Sequence, residues 1–261
     1  FSIPVTGTVD AACIDIWAAP DGSGNLLSTT TLSVALVRPG LTAVDLDPVE
    51  AAYDEVRAYV FDKLAQRRAH PGEDLISVIG AADLTDEECV TLICSVISGG
   101  TDTTQAQLAH GLRLFAEHPD QWAALAADPS LAEQAAAEVL RYEPITPFTA
   151  RLAKEDVELR DVTFPKGTVL FVCAATANRD PVAFEEPQRF DITKVRDAAP
   201  LTFGFGAHFC IGSNLAKAEL VETFGYLAPR VKELRLDGDP VFGPVTGIYA
   251  IEKLPIAWQP A

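Results

Sequence analysis

Phe203-Gly204-Phe205-Gly206-Ala207-His208-Phe209-Cys210-Ile211-Gly212 is the most specific run in this chain of 261 residues. Glycines at alternate positions let a backbone turn sharply, so that several amides can point at one atom. Here that atom would be the Cys210 sulfur. A helix predicted from Ser213 to about Leu227 brings its N-terminal end to the same place, and amides together with a helix end favour thiolate over thiol. The apolar neighbours Phe203, Phe209 and Ile211 would exclude water. Cysteines at 13, 89, 94, 173 and 210 form no C-x-x-C pair, and their odd number fits a reducing compartment. Cys89, Cys94 and Cys173 sit in apolar surroundings and are expected to be small buried hydrophobes.

Upstream, Thr85-Asp86-Glu87-Glu88 is a capping box, and no proline interrupts the following stretch until Pro119. A single helix from Asp86 to about Glu117 is predicted, apolar nearly all round from Val90 to Ile97 and therefore running through the interior. Gly99-Gly100 falls in its middle, at a cost of about 2 kcal/mol in helix propensity relative to alanine. Close approach of a flat ligand, with local loosening of the hydrogen-bond ladder, would account for the pair; packing against another helix is the alternative.

An earlier helix opens at Asp47-Pro48 with an apolar stripe of Val49, Ala52, Tyr53, Val56, Val60 and Leu64. Another opens at Asp128-Pro129 and stops at Pro144; it carries Glu138 and Arg141, three apart and so side by side. Strands are predicted at Val157–Leu159 and Val169–Val172, and short ones after the last helix. Residues 180–200 show little pattern, and the opening 46 residues read poorly.

The run F-G-x-G-x-H-x-C-x-G resembles the haem-ligand signature of the cytochromes P450, matched at every defining position. The resemblance implies a mainly α fold with small β-sheets (α+β), that family's C-terminal haem-binding part. Residues 47–261 would form this single region, and 1–46 a segment without assignment. It also implies that haem b (iron protoporphyrin IX) is held by Cys210 as axial ligand, with Phe203 packed beside it and His208 and Arg151 at the propionates. Glu138-Val139-Leu140-Arg141 matches the family's E-x-x-R, and Phe184-Glu185-Glu186-Pro187-Gln188-Arg189-Phe190 its F-x-x-P-x-R-F. On that likeness Glu138, Arg141 and Arg189 form a buried structural triad. Gly99-Gly100-Thr101-Asp102-Thr103-Thr104 is similar to A/G-G-x-D/E-T-T, where the family's helix bulges over haem: Gly99 and Gly100 make room, Thr103 steadies dioxygen and Asp102 relays protons.

The activity implied is insertion of one oxygen atom from O2 into a small apolar substrate of the secondary-metabolite kind. No nicotinamide- or flavin-binding glycine motif is present, so electrons would come from a ferredoxin or flavodoxin served by an NAD(P)H-dependent reductase. Lys194, Arg196 and Lys217 are candidates for docking that donor. Ile97, Ser98, Ile145, Pro147, Phe148, Ile248 and Tyr249 are expected over the substrate. The formal charge of −17 argues against nucleic acid and anionic membrane surfaces, and without an apolar run of membrane length a cytoplasmic location is expected. The chain begins at Phe1, has no Met, and lacks a counterpart of the family's N-terminal third, so a truncated, inactive form or a non-catalytic partner protein stands as the alternative.

Overall fold

The computed structural model describes residues 47–244 and 247–261; readings of the first 46 residues lie outside them. The structure divides into two compact units between Gly99 and Gly100. In the first, α1 (Asp47–Ala69) begins at the Asp-Pro signal, α2 (Leu75–Gly80) follows, and α3 (Asp86–Glu117) starts at the capping box. The box is reciprocal: the Thr85 N–H donates to Glu88 Oε2 at 2.8 Å and the Glu88 N–H to Thr85 Oγ1 at 3.3 Å. These bonds hold the Glu88 carboxyl below the usual range.

Val60, Leu64, Ile79, Cys89, Val90 and Ile93 form the core of this unit. The apolar stripe of α1 is only half realised, since Tyr53 and Val56 are exposed. Likewise Val90 and Ile93 are buried, but Ile97 is exposed, so the start of α3 is one-sided rather than interior on all faces. Apolar content alone did not distinguish a helix with one covered face from one covered all round. The six-residue α2 is too short to show a period; Asp74 caps it by accepting the Ser77 N–H at 2.9 Å.

The second unit holds the rest of α3, α4 (Pro119–Ala127), α5 (Ala132–Tyr142), α6 (Ala174–Ala177) and α7 (Ser213–Leu227). Its strands are β1 (Phe148–Leu152), β2 (Val157–Leu159), β3 (Val162–Phe164), β4 (Val169–Cys173), β5 (Val231–Leu236), β6 (Val241–Phe242), β7 (Ile251–Lys253) and β8 (Ile256–Pro260). They pair antiparallel as β1–β4, β2–β3, β5–β8 and β6–β7, giving the expected mainly α fold with small sheets. The helix anticipated from Pro129 opens as a 3-10 turn, Pro129–Leu131, before α5. No helix among the described residues is long and apolar enough to cross a membrane.

The core lies between α3, α4, α5 and α7, with Phe115 at its centre: its ring is 5.0 Å from Trp122, 5.3 Å from Phe224 and 5.6 Å from Phe190. Gly111 lets Phe224 approach α3, because a Cβ there would lie 2.4 Å from Phe224 Cζ and 3.3 Å from Val139 Cγ1. Gly111→Ala is expected to lower stability by about 1–3 kcal/mol through overpacking, read as a lower urea midpoint at unchanged slope. An unchanged midpoint would show that Phe224 gives way freely.

Candidate functional site

The run around Cys210 is a loop tightened by two positive-φ glycines. A 3-10 turn at Leu201–Phe203 ends on Gly204 (φ 73°), a second at Gly206–His208 starts from Gly206 (φ 77°), and α7 follows with Gly212 as its N-cap. A side chain at either position would strain the left-handed backbone. The Cys210 N–H donates to the Phe203 carbonyl at 3.0 Å, and the Phe209 N–H to the Gly206 carbonyl at 3.0 Å. These amides therefore serve the loop's own carbonyls. These two N–H groups are therefore not aimed at the Cys210 sulfur as expected.

The thiol is exposed, and so are its neighbours: Phe205 is 82% accessible, Ile211 74% and Phe209 50%. They therefore do not close over the sulfur as anticipated. Phe203 is half-buried, its ring 6.4 Å from that of Phe209 and 5.5 Å below the Lys217 ammonium. α7 begins three residues after Cys210 without a side-chain cap, so its first-turn N–H groups give the loop a positive helix end. His208 is exposed at the end of the second 3-10 turn. Arg151 is exposed on β1, where its Nη1 donates to the Ala150 carbonyl at 2.9 Å.

On α3, Gly100 and Asp102 are exposed, Thr103 is half-buried and Thr104 is buried. The helix is continuous from Asp86 to Glu117, without the expected loosening at the glycines. Among the described residues a Cβ at Gly99 or Gly100 would meet nothing within 4 Å, so no helix among them packs closely enough on the pair to require glycine.

The ionic cluster differs from the expected triad in one member. Glu138 and Arg141, both on α5 and both buried, form a bidentate pair at 2.7 and 2.8 Å. The second guanidinium on Glu138 belongs to Arg196, whose Nε and Nη2 lie 2.8 and 3.0 Å from its oxygens with the side chain only 11% exposed. Arg189 instead points outward at 60% exposure, beside Glu186 and Asp191, and contributes its carbonyl to Arg141 Nη2 at 3.1 Å. The motif located the right segment but the wrong side chain. Its carbonyl is turned inward, and the chain must run on to Arg196 before a guanidinium reaches Glu138. No periodic signal in residues 180–200 could have indicated this.

Arg196 is thereby removed from the candidate docking cations, and Lys194 is paired with Glu185 at 2.8 Å and Glu186 at 3.1 Å. Lys217 is the exposed member of the three.

Two polar residues of α3 that sequence patterns did not single out are buried and hold irregular chain. Gln107 donates through Nε2 to the Glu143 carbonyl at 2.9 Å and accepts the Ile145 N–H at 3.4 Å. His110 Nε2 lies 2.8 Å from the Tyr249 carbonyl; a carbonyl only accepts, so this nitrogen carries the proton. Its Nδ1 is buried without a partner among the described residues. Burial pushes the imidazole pKa down, against the opposing effect of the Tyr249 bond.

The Cytochrome P450 family model matches residues 62–225, and the chain belongs to that family. It is 39% identical to the luteothin monooxygenase of Streptomyces thioluteus over 92% of this chain and 60% of that one. With the cytochrome P450 monooxygenase PikC of Streptomyces venezuelae it shares 34% identity, over 98% and 67% of the two chains. Among solved structures, the cytochrome P450 CYP109Q5 of Chondromyces apiculatus superposes with a TM-score of 0.77 at 33% identity, covering 83% of this chain and 57% of that one. The chain thus spans 60% of the first of these relatives.

Proposed function

We propose that the protein is a haem-thiolate monooxygenase in which Cys210 would hold the iron of protoporphyrin IX through its sulfur. The observation that carries this is the exposed thiol on a glycine-tightened loop before α7, set among exposed Phe205, Phe209 and Ile211. A soft sulfur ligand amid uncovered apolar side chains fits a flat, largely apolar group carrying iron. That no described residue lies within 4 Å of a Cβ at Gly100 also suits a flat group close to the helix backbone. When bound, haem supplies a one-electron redox centre that activates O2, and thiolate ligation pushes electron density onto it to favour O–O cleavage.

The chain's own residues supply binding and proton handling. Cys210 provides the sulfur, Phe203 its packed neighbour, and His208 and Arg151 donors for propionates. Thr103, half-buried, would supply a hydroxyl for proton delivery, and exposed Asp102, next to it in sequence, would take up protons from water. One oxygen atom enters the substrate and the other leaves as water, consuming two protons and two electrons. The electrons come from a separate ferredoxin- or flavodoxin-type donor with its NAD(P)H-dependent reductase, and exposed Lys217 near the loop suits an acidic partner. The substrate is a small apolar compound.

The test is the difference spectrum of reduced, carbon monoxide-treated protein, with a maximum at about 450 nm expected of thiolate-ligated haem. Haem-supplemented protein lacking that band would overturn the assignment. For the proton step, Thr103→Ala is expected to lower the fraction of electrons recovered in product by about tenfold, with electron consumption largely retained. Unchanged coupling would remove Thr103 from this role.

A further inference from the structure

His110 is fully buried on α3, and among the described residues only one of its ring nitrogens has a partner: Nε2, on the Tyr249 carbonyl. The charged groups acting on the ring are Arg113 and Glu117, one and two turns further along α3, and Glu143 from the chain after α5. The connection between β6 and β7 adds the Tyr249 phenol, and β6 the uncharged Phe242, with centroids 5.0 and 6.1 Å from the imidazole. Arg113 engages both carboxylates, Nη1 lying 2.7 Å from Glu117 Oε2 and Nη2 2.9 Å from Glu143 Oε2. The acids that could balance a charge on His110 are therefore already bonded to a guanidinium.

A proton added to His110 would go to Nδ1, the nitrogen that lacks one. Nδ1 is buried without a hydrogen-bond partner among the described residues, and so is Arg113 Nε, which is a donor and not an acceptor. An imidazolium here would hold an unmet N–H one helical turn from a second cation. The neutral ring is burdened only by an idle lone pair.

The two partners in the bond are not equally secure. α3 is a continuous helix that enters the core, whereas residues 247–250 are bends and irregular chain with no ladder of their own. The β6–β7 ladder extends only to the Gly243 N–H bond to the Ala250 carbonyl at 3.0 Å. Tyr249 is otherwise held by its N–H on the Ile145 carbonyl at 2.6 Å and by its ring, stacked on Phe242 at 5.2 Å. When the contact breaks, the connection is the side that yields.

We propose that His110 is an acid-sensitive latch: the neutral ring fastens the connection between β6 and β7 to α3 at the Tyr249 carbonyl, and protonation at Nδ1 releases it. Once released into water, the imidazole titrates at the ordinary histidine value of about 6.5, whereas burial holds the fastened ring below that. The released form therefore binds the proton first, so fastening is complete above about pH 6.5 and weakens as pH falls.

The experiment is amide hydrogen exchange between about pH 5 and 8, each rate divided by the intrinsic rate at that pH, in wild type, His110→Gln and His110→Leu. It needs neither haem nor activity. Wild-type protection of the peptide 247–253 is expected to fall at least tenfold from about pH 7 to 5, and no more steeply than about tenfold per pH unit, as one proton per release requires. Peptide 214–224 of α7 should keep its protection. His110→Gln, whose Nε2 still donates but which does not titrate, is expected to match wild type at the alkaline end and to lose nothing on acidification. His110→Leu should lower protection of 247–253 by the same factor at every pH, and it decides the matter if the glutamine variant fails to fold. Wild-type protection that stays level, an acid loss that persists in a variant without the imidazole, or equal loss in 247–253 and 214–224 would each overturn the latch.

Discussion

Cys210→Ala is expected to abolish the band at about 450 nm in the reduced, carbon monoxide-treated protein, because the band reports thiolate on iron and alanine offers no ligand. The effect should be complete rather than graded. Cys173→Ala is the control. The Thr176 hydroxyl and nearby amides hold the Cys173 thiol below its ordinary range, which makes it the second thiol to consider. It sits at the end of β4, however, paired with Phe148 of β1, and not on a glycine-tightened loop leading into a long helix. Its replacement should leave the band intact. A band that survives loss of Cys210, or vanishes with Cys173, would reassign the ligand.

Glu138→Leu should be the most destabilising single change, at about 3–5 kcal/mol, because it leaves the guanidinium of fully buried Arg141 without its counter-charge. Glu138 also accepts both contacts of Arg196 and the Asp191 N–H at 3.0 Å, so one carboxylate joins α5 to the chain at 191 and 196. Arg196→Ala should cost about 1–3 kcal/mol, since it removes charged hydrogen bonds yet leaves Glu138 paired with Arg141. Arg189→Ala, at an exposed pair, should cost no more than about 1 kcal/mol. Urea unfolding of the three variants tests the order. An Arg189 effect equal to or above that of Arg196 would contradict the placement of the two side chains.

Elements with their own start signals were legible in the sequence: α1 from Asp47-Pro48, α3 from its capping box, and α7 from the residues after Gly212. Shorter pieces were not. α2 and β1 carry too few residues for a period to emerge, and α4 begins at Pro119, directly after the proline-free stretch assigned to one helix. At the site, the positions of Gly204 and Gly206 were readable as turns because positive φ is a local steric demand that glycine meets. The aim of the loop's amides was not, since a donor goes to whichever acceptor the folded loop brings near.

The sequence by itself determined the family, the thiol that stands at the centre of its signature, the long helix carrying Thr103, and the side-by-side placement of Glu138 and Arg141. Each depends on residues within a few positions of one another. Only the tertiary structure decided that Arg196 and not Arg189 completes the ion cluster, and that Gln107 and His110 fasten chain 36 to 139 residues away. Such partners are chosen by which backbone and side-chain groups the packed core forces together, and a buried charge or donor binds the group that reaches it, whatever their separation in sequence.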